Sequence, residues 1–298
     1  MRVKVIVVVC LLVMTYVQAR PRSGDGPVTD AVYRSSSEPC HDLPGAAMLL
    51  NRPGVQVIWL GEQHGTGEMP EFLTDLVCIA GTQRRPVWVA LERAETEQSD
   101  WDRFLASDGS ASAVARLTRA PVWTQAEDGR NSRAILVMAQ RLRQLKHERR
   151  IAGVRLIDRW GTTSDARSGI HRDQELAQAV LDTVQTNPRA LVLVYSGDLH
   201  AMKRRPPWLP ADVQNPAASY LPPAEVLSVD LIGESGEVWN CQASGCGPHP
   251  YQGESSHPRS IVMIDDSRDH QNPAALEGFD ALGYTGVPTT ASPPELKP

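Results

Sequence analysis

A four-residue pattern, Gly-x-x-His, occurs twice in this chain, each time at the end of an apolar run. The first copy, Gly61-Glu62-Gln63-His64, follows Val55-Gln56-Val57-Ile58-Trp59-Leu60. The second, Gly197-Asp198-Leu199-His200, follows Leu191-Val192-Leu193-Val194-Tyr195-Ser196. Short apolar runs rich in β-branched residues predict buried parallel strands. In an open α/β sheet, ligands bind in the crevice beyond the carboxyl ends of the strands. Two distant segments would then bring a carboxylate and an imidazole to one edge of one sheet.

The rest of the chain supplies the alternation such a sheet needs. Strands are predicted at Val55–Leu60, Pro86–Leu91, Val154–Ile157 and Leu191–Tyr195. Between them lie predicted helices at Met69–Ala80, Asn131–Arg149 and Arg172–Thr186. The long one places Ile135, Met138, Ala139, Leu142 and Leu145 at helical spacing. Shorter helices are expected over Trp101–Leu105, capped by Ser99, and over Ala111–Leu117. Pro206 to Pro223 reads as a long irregular crossing, a candidate lid or rim. Val226–Ile232 and Glu237–Cys241 flank Gly233-Glu234-Ser235-Gly236 and read as a hairpin. The expected fold is α/β, with a mostly parallel central sheet flanked by helices and a site at the carboxyl ends of the strands.

The ends of the chain read differently. Arg2 and Lys4 precede the apolar stretch Val5–Val17, and Val17-Gln18-Ala19 suits cleavage, so residues 1–19 are expected to be a signal peptide. That stretch falls short of the about 20 residues a spanning helix needs. Residues 20–38 read as a flexible leader, 39–265 as a single domain, and 266–298 as a loosely ordered tail rich in Pro, Asn, Asp and Gly. The expectation is an exported protein, periplasmic or secreted, with no stable membrane anchor after cleavage. Loss of Arg2 and Lys4 takes the net charge from −5 to −7. An acidic domain whose densest basic run, Lys146 to Arg150, closes a helix is a poor nucleic-acid binder. Cleavage also leaves Cys40, Cys78, Cys241 and Cys246, an even set that favours disulfides in an oxidising compartment. Cys241–Cys246 closes a short loop and is the first expected bridge; Cys40–Cys78 is the remainder, with a buried free thiol at Cys78 as the alternative.

The candidate chemistry gathers at predicted strand ends. Glu62 and His64 stand two apart, so an extended backbone points both the same way. Glu92 ends the second strand and His200 follows the fourth. Asp198 is placed to orient His200 or to ligate beside it, and Asp158 ends a strand of its own. Glu68 opens a helix, where a carboxylate favours the dipole, and reads as structural.

Four short motifs, in this order, carry a resemblance. They are Gly61-Glu62-Gln63-His64-Gly65, Ala90-Leu91-Glu92-Arg93, His171-Arg172-Asp173-Gln174-Glu175-Leu176-Ala177 and Gly197-Asp198-Leu199-His200-Ala201. The chain resembles the superfamily of Tiki and TraB proteins, ChaN-like haem-uptake lipoproteins and erythromycin esterase-like hydrolases. The resemblance implies that Glu62, His64, Glu92 and His200 form the site. It also implies that Arg172 clamps an anionic substrate group or an oxyanion; an ion pair with Asp173 or Glu175 is the alternative. Leu176 replaces the family's frequent Met, and the ChaN-type lipid anchor is missing.

Three chemistries remain open on these residues. In a metal-dependent hydrolase, His64, His200, Glu62 and Glu92 would hold a divalent Mn, Co or Zn and its water. In a metal-free esterase, His64 would act as general base on water, with Arg172 or His200 steadying the tetrahedral anion. In a non-catalytic uptake module, His64, His200 or Tyr195 would be an axial ligand to haem, with Met202 nearby. The sequence has no Gly-x-Ser-x-Gly elbow, so a serine nucleophile is not expected. A small-molecule or peptide substrate is expected.

Overall fold

The computed structural model describes residues 39–126, 128–159, 171–254, 257–264 and 278–295. The expected signal peptide and leader lie outside these residues. The core is a seven-stranded sheet, β3-β2-β4-β1-β5-β9-β8, built from β1 (Val57–Glu62), β2 (Val87–Ala94), β3 (Gly153–Asp158), β4 (Leu191–Gly197), β5 (Val226–Glu234), β8 (Ser260–Met263) and β9 (Ala281–Pro288). Every neighbouring pair is parallel except β8 with β9. The first four expected strands and the α/β class are therefore present.

Residues alternate between the two faces of the sheet. Ile58, Leu60, Val89, Leu91, Leu193 and Tyr195 belong to one buried cluster. Val57, Trp59, Ala90, Val192 and Val194 belong to the other. The first face is covered by α2 (Met69–Ala80), α3 (Gln98–Leu105), α4 (Ala111–Leu117) and α6 (Arg133–His147), with the short helices α1 (Ala46–Leu50) and α5 (Pro121–Gln125). The second is covered by α7 (Arg172–Thr186), the one-turn helix α8 (Asp198–Ala201) and a 3-10 turn, Ala217–Tyr220, inside the Pro-rich crossing. The apolar stripe expected on the long helix is the buried stripe of α6. Ser132 caps that helix by accepting from the Ile135 N–H at 3.4 Å. By contrast, the Ser99 cap does not form: α3 begins a residue earlier, after a 3-10 turn at Glu95–Glu97.

Two expectations are corrected. Residues 266–298 are not a loose tail throughout, because β9 lies between β5 and β8 and hydrogen-bonds to both. Ala281, Leu282, Gly283, Tyr284 and Thr285 are all buried there. The chain then runs on to bridge Thr66 with Ala291 and Ser132 with Pro294. The domain thus extends well past 265. The expected hairpin is also displaced. β5 is a sheet strand between β1 and β9, so it has no edge left for the next segment. β6 (Gly236–Gln242) pairs instead with β7 (Gly245–Tyr251), with Cys241 opposite Cys246.

Both expected disulfides are present, Cys40–Cys78 and Cys241–Cys246. Among the described residues, no helix is long and apolar enough to cross a membrane.

A chain ended before Gly278 would leave β5 and β8 without their shared partner. Such a truncation is expected to lose the cooperative denaturation transition and the near-ultraviolet circular dichroism of the full chain. An unchanged transition would show that β9 is dispensable.

Candidate functional site

β1 and β4 are adjacent, and their register sets Glu62 beside Gly197. The two Gly-x-x-His segments therefore leave the sheet side by side. Gly61 lies inside β1 and serves a close approach. A Cβ there would stand 2.8 Å from the Asp198 Cα of α8. Gly65 does need its freedom: its φ is +80°, and a Cβ would stand 1.9 Å from the Trp239 carbonyl oxygen of β6. The Gly65 carbonyl accepts from the Trp239 N–H at 3.0 Å and the Ser292 N–H at 2.8 Å. Glu68 is structural as expected, though its carboxylate binds the Thr290 N–H and hydroxyl. The segment carrying His64 is thus gripped by β6 and by the end of the chain.

The five expected site residues, Glu62, His64, Glu92, Arg172 and His200, come together. Glu62 Oε1 meets His64 Nδ1. His64 Nε2 lies 3.5 Å from Glu92 Oε2, and His200 Nε2 lies 3.6 Å from Glu92 Oε1. Glu92 thus stands between two imidazoles. It also accepts from the Gly197 N–H at 2.8 Å and from Arg172 Nη2. On the other side, His200 Nδ1 is 2.8 Å from Asp173 Oδ1. Asp198, expected to orient His200, instead accepts from the Leu199 N–H at 2.6 Å. A carboxylate at the start of a one-turn helix finds that N–H first.

Arg172 is an internal brace. Its Nη2 lies 2.7 Å from Asp158 Oδ2, and its Nη1 is 3.0 Å from His200 Nε2. The alternative pairing with Asp173 or Glu175 is not the one formed. Sequence reasoning overlooked three partners. Asp173 was seen only as a neighbour of Arg172. Tyr195, weighed only as a haem ligand, donates its hydroxyl to Glu62 Oε2 at 2.9 Å. Arg130 lies on a loop with no periodic or motif signal, and its Nη1 is 3.4 Å from Glu92 Oε1. That loop is anchored from below by Arg93, which donates to the Arg130 carbonyl. Arg93 is buried with Glu97 at 2.9 Å, its guanidinium 4.5 Å from the Trp123 ring.

The electrostatics follow from this packing. Burial opposes the positive charge on His64, but Glu62 and Glu92 outweigh it and raise its pKa well above the ordinary 6.5. Burial likewise opposes charge on His200; Glu92 and Asp173 raise its pKa, while Arg172 opposes them. Burial also opposes ionisation of Glu92. His200, His64 and Arg172 overcome it and hold the carboxyl well below its usual range. Burial lowers the pKa of Arg172, and Glu92 and Asp158 more than restore it.

These residues do not fit a resident divalent metal. The four expected ligands do not face one point, since Glu62 lies behind His64 at Nδ1 while Glu92 lies in front at Nε2. Both oxygens of each carboxylate already have donors. Arg172 and Arg130 bring positive charge to the place an ion would take. A metal-like grouping does occur elsewhere: His41, Glu71 and Asp75 offer ligand atoms within 4.8 Å of one another. Its sequence signal was the one-turn spacing of Glu71 and Asp75, and Arg259 already pairs with Asp75 there. Tyr195 and Met202 are buried in the core. The cavity lined by Glu62, His64, Glu92, Arg130 and Tyr195 measures about 20 Å³. That volume holds about one water molecule.

No family model matches the sequence, and no curated protein sequence does either. Solved structures share its fold. A succinoglycan biosynthesis protein superposes with a TM-score of 0.62 at 11% identity, covering 86% of this chain and 93% of that one. An erythromycin esterase variant in its open conformation gives 0.60 at 11% identity, covering 83% and 93%. A Bacillus cereus protein gives 0.50 at 10%, covering 86% and 96%. At these identities the likenesses show the fold alone, the α/β architecture expected from the sequence.

Two outcomes are expected. Stability contributed by His64 is full below its ordinary value of 6.5 and is lost as pH rises through its higher folded value. Glu92, with its depressed pKa, contributes above its ordinary 4.5, and that part is lost only as pH falls through the lower folded value. The melting-temperature gap between wild type and His64→Gln should therefore be widest near about pH 6 and close in alkali; a pH-independent gap would contradict the ionic pairing. Glu97→Ala leaves Arg93 charged and unpaired in the core. Denaturant titration should show a loss of about 3–5 kcal/mol, and a loss below about 1 kcal/mol, as for a surface pair, would refute the buried pillar.

Proposed function

We propose that the chain is an exported hydrolase that cleaves an ester bond by activating water directly, with His64 as general base and no resident metal. One observation carries this reading. Two His–carboxylate dyads, His64–Glu62 and His200–Asp173, face each other across the single carboxylate of Glu92. A base needs an oriented imidazole whose far nitrogen is held by an acceptor, and each dyad supplies one.

In its neutral form, His64 keeps its proton on Nδ1 toward Glu62 and offers the Nε2 lone pair to a water in the small cavity it shares with Glu92. Nε2 takes a proton from water as the water oxygen attacks the carbonyl carbon, and the carbonyl electrons move onto oxygen. Glu62 stabilises the imidazolium that forms. The cationic groups beside Glu92, Arg130 and Arg172, lower the energy of the developing oxyanion. Collapse of the tetrahedral anion expels the alkoxide, which recovers the proton from His64 Nε2. Because the base form of His64 is required and its pKa is raised, kcat/KM should climb with pH beyond the ordinary imidazole range.

The erythromycin esterase fold neighbour supports ester chemistry over peptide chemistry. The two disulfides support an oxidising, extracytoplasmic compartment. Nothing in the acidic balance of charge suits a nucleic-acid partner.

The test is hydrolysis of p-nitrophenyl acetate and butyrate from about pH 6 to 10, with and without 1,10-phenanthroline. Activity is expected to survive the chelator and to fall about 10²–10⁴-fold in His64→Ala. Loss to chelator with recovery on Mn, Co or Zn would replace this reading with a metallohydrolase. Full activity in His64→Ala would end it, and a Soret band on adding haem without hydrolysis would favour the uptake module.

A further inference from the structure

Tyr195 is the last apolar residue of β4, and strand alternation alone accounts for its burial. It does not account for where the hydroxyl ends. The ring shares its face of the sheet with Leu60 and Glu62 of β1, because Leu60 is its register partner and Glu62 lies two residues on. The phenol oxygen therefore reaches the carboxylate at the carboxyl end of β1, 2.9 Å from Glu62 Oε2. Both side chains are almost wholly buried, at 3% and 4% exposure.

We propose that Tyr195 is a positioning residue for His64, acting through Glu62: its hydroxyl holds one carboxylate oxygen so that the other stays on His64 Nδ1 and the Nε2 lone pair faces the crevice. This rests on the hydrolase reading for its catalytic meaning, but the geometry stands without it. Glu62 has two oxygens and two partners on opposite sides, Tyr195 and His64. With Oε2 held from β4 and the backbone held in β1, the carboxylate plane cannot turn away from the imidazole. The orientation of the base is thereby tied to the register of two central strands, not to the loop that carries it.

The contact also sets how strongly Glu62 draws a proton onto His64. Burial raises the pKa of the Tyr195 phenol and Glu62 raises it further, so it remains a neutral donor. A donated hydrogen bond withdraws charge from a carboxylate and weakens it as a base. The charged groups that act on His64 are Glu62 on β1, Glu92 on β2, Asp198 on α8 and Asp128 on the loop before α6. Tyr195 touches Glu62 alone among these in the contacts described.

The experiment is a proton-detected NMR titration of the His64 imidazole in wild type, in Tyr195→Phe and in a chain with 3-fluorotyrosine placed at 195. Each is repeated in the Glu62→Gln background. Removing the hydroxyl should raise the His64 pKa by about half a unit or more, and the stronger phenol donor should lower it. Both shifts should vanish in Glu62→Gln, and the alkaline limb of the pH–rate profile should move with them. No shift, shifts of the same sign, or shifts that persist in Glu62→Gln would overturn the assignment. If Tyr195→Phe fails to fold, the fluorinated chain, nearly isosteric with wild type, decides alone. If no ester is hydrolysed at all, the titration still reports on Tyr195, so the two readings fail separately.

Discussion

The site depends on one buried carboxylate. Glu92 sits two residues before the end of β2 with almost no access to water, and an isolated charge there would cost more than the fold could supply. It is ionised because everything around it is arranged to make it so. The Gly197 N–H from β4, Arg172 from α7 and Arg130 from the loop before α6 all point at its two oxygens. Those partners come from three separate stretches of chain, so Glu92 acts as the node that draws them together. The two imidazoles then take their places on either side of it.

Under the reading proposed above, this arrangement favours proton transfer over metal binding. A ligand carboxylate must offer a free lone pair toward a common centre. Here Glu92 is saturated by guanidinium and backbone donors, and Glu62 by Tyr195 and His64. His200 Nε2 already meets Arg172 Nη1, so the least committed nitrogen is His64 Nε2, 3.5 Å from Glu92 Oε2, on a ring held in orientation by Glu62 at Nδ1. Such a site keeps its base poised at the cost of a raised pKa, because the carboxylates that orient the ring also favour its proton.

Much of the fold was legible because buried parallel strands are locally distinctive. Val57–Leu60 and Leu191–Tyr195 are continuous apolar runs, short and rich in β-branched residues, which favours a buried strand over a helix. β9 escaped notice for the opposite reason. Ala-Leu-Gly-Tyr-Thr-Gly-Val-Pro has two glycines and a terminal proline, which are turn signals. Its strand state is imposed by hydrogen bonds from β5 and β8, partners distant in sequence. The misplaced hairpin has the same cause. Gly233 to Gly236 looks like a turn between two strands, but tertiary pairing had already assigned both edges of the first.

The sequence by itself determined which chemistry is present and roughly where: a carboxylate and an imidazole after each of two apolar runs, a third carboxylate after another, and an arginine opening a helix. Local rules suffice for that, since strand ends and helix starts are set by nearby residues. Only the tertiary structure decided which partner each group would have. Asp173, not Asp198, holds His200; Asp158 and Glu92, not Asp173, hold Arg172; Tyr195 holds Glu62; and Arg130 arrives from a loop without any local signal. Pairing of buried charge is settled by strand order and helix placement. Those depend on contacts between segments far apart in the chain, where periodicity carries no information.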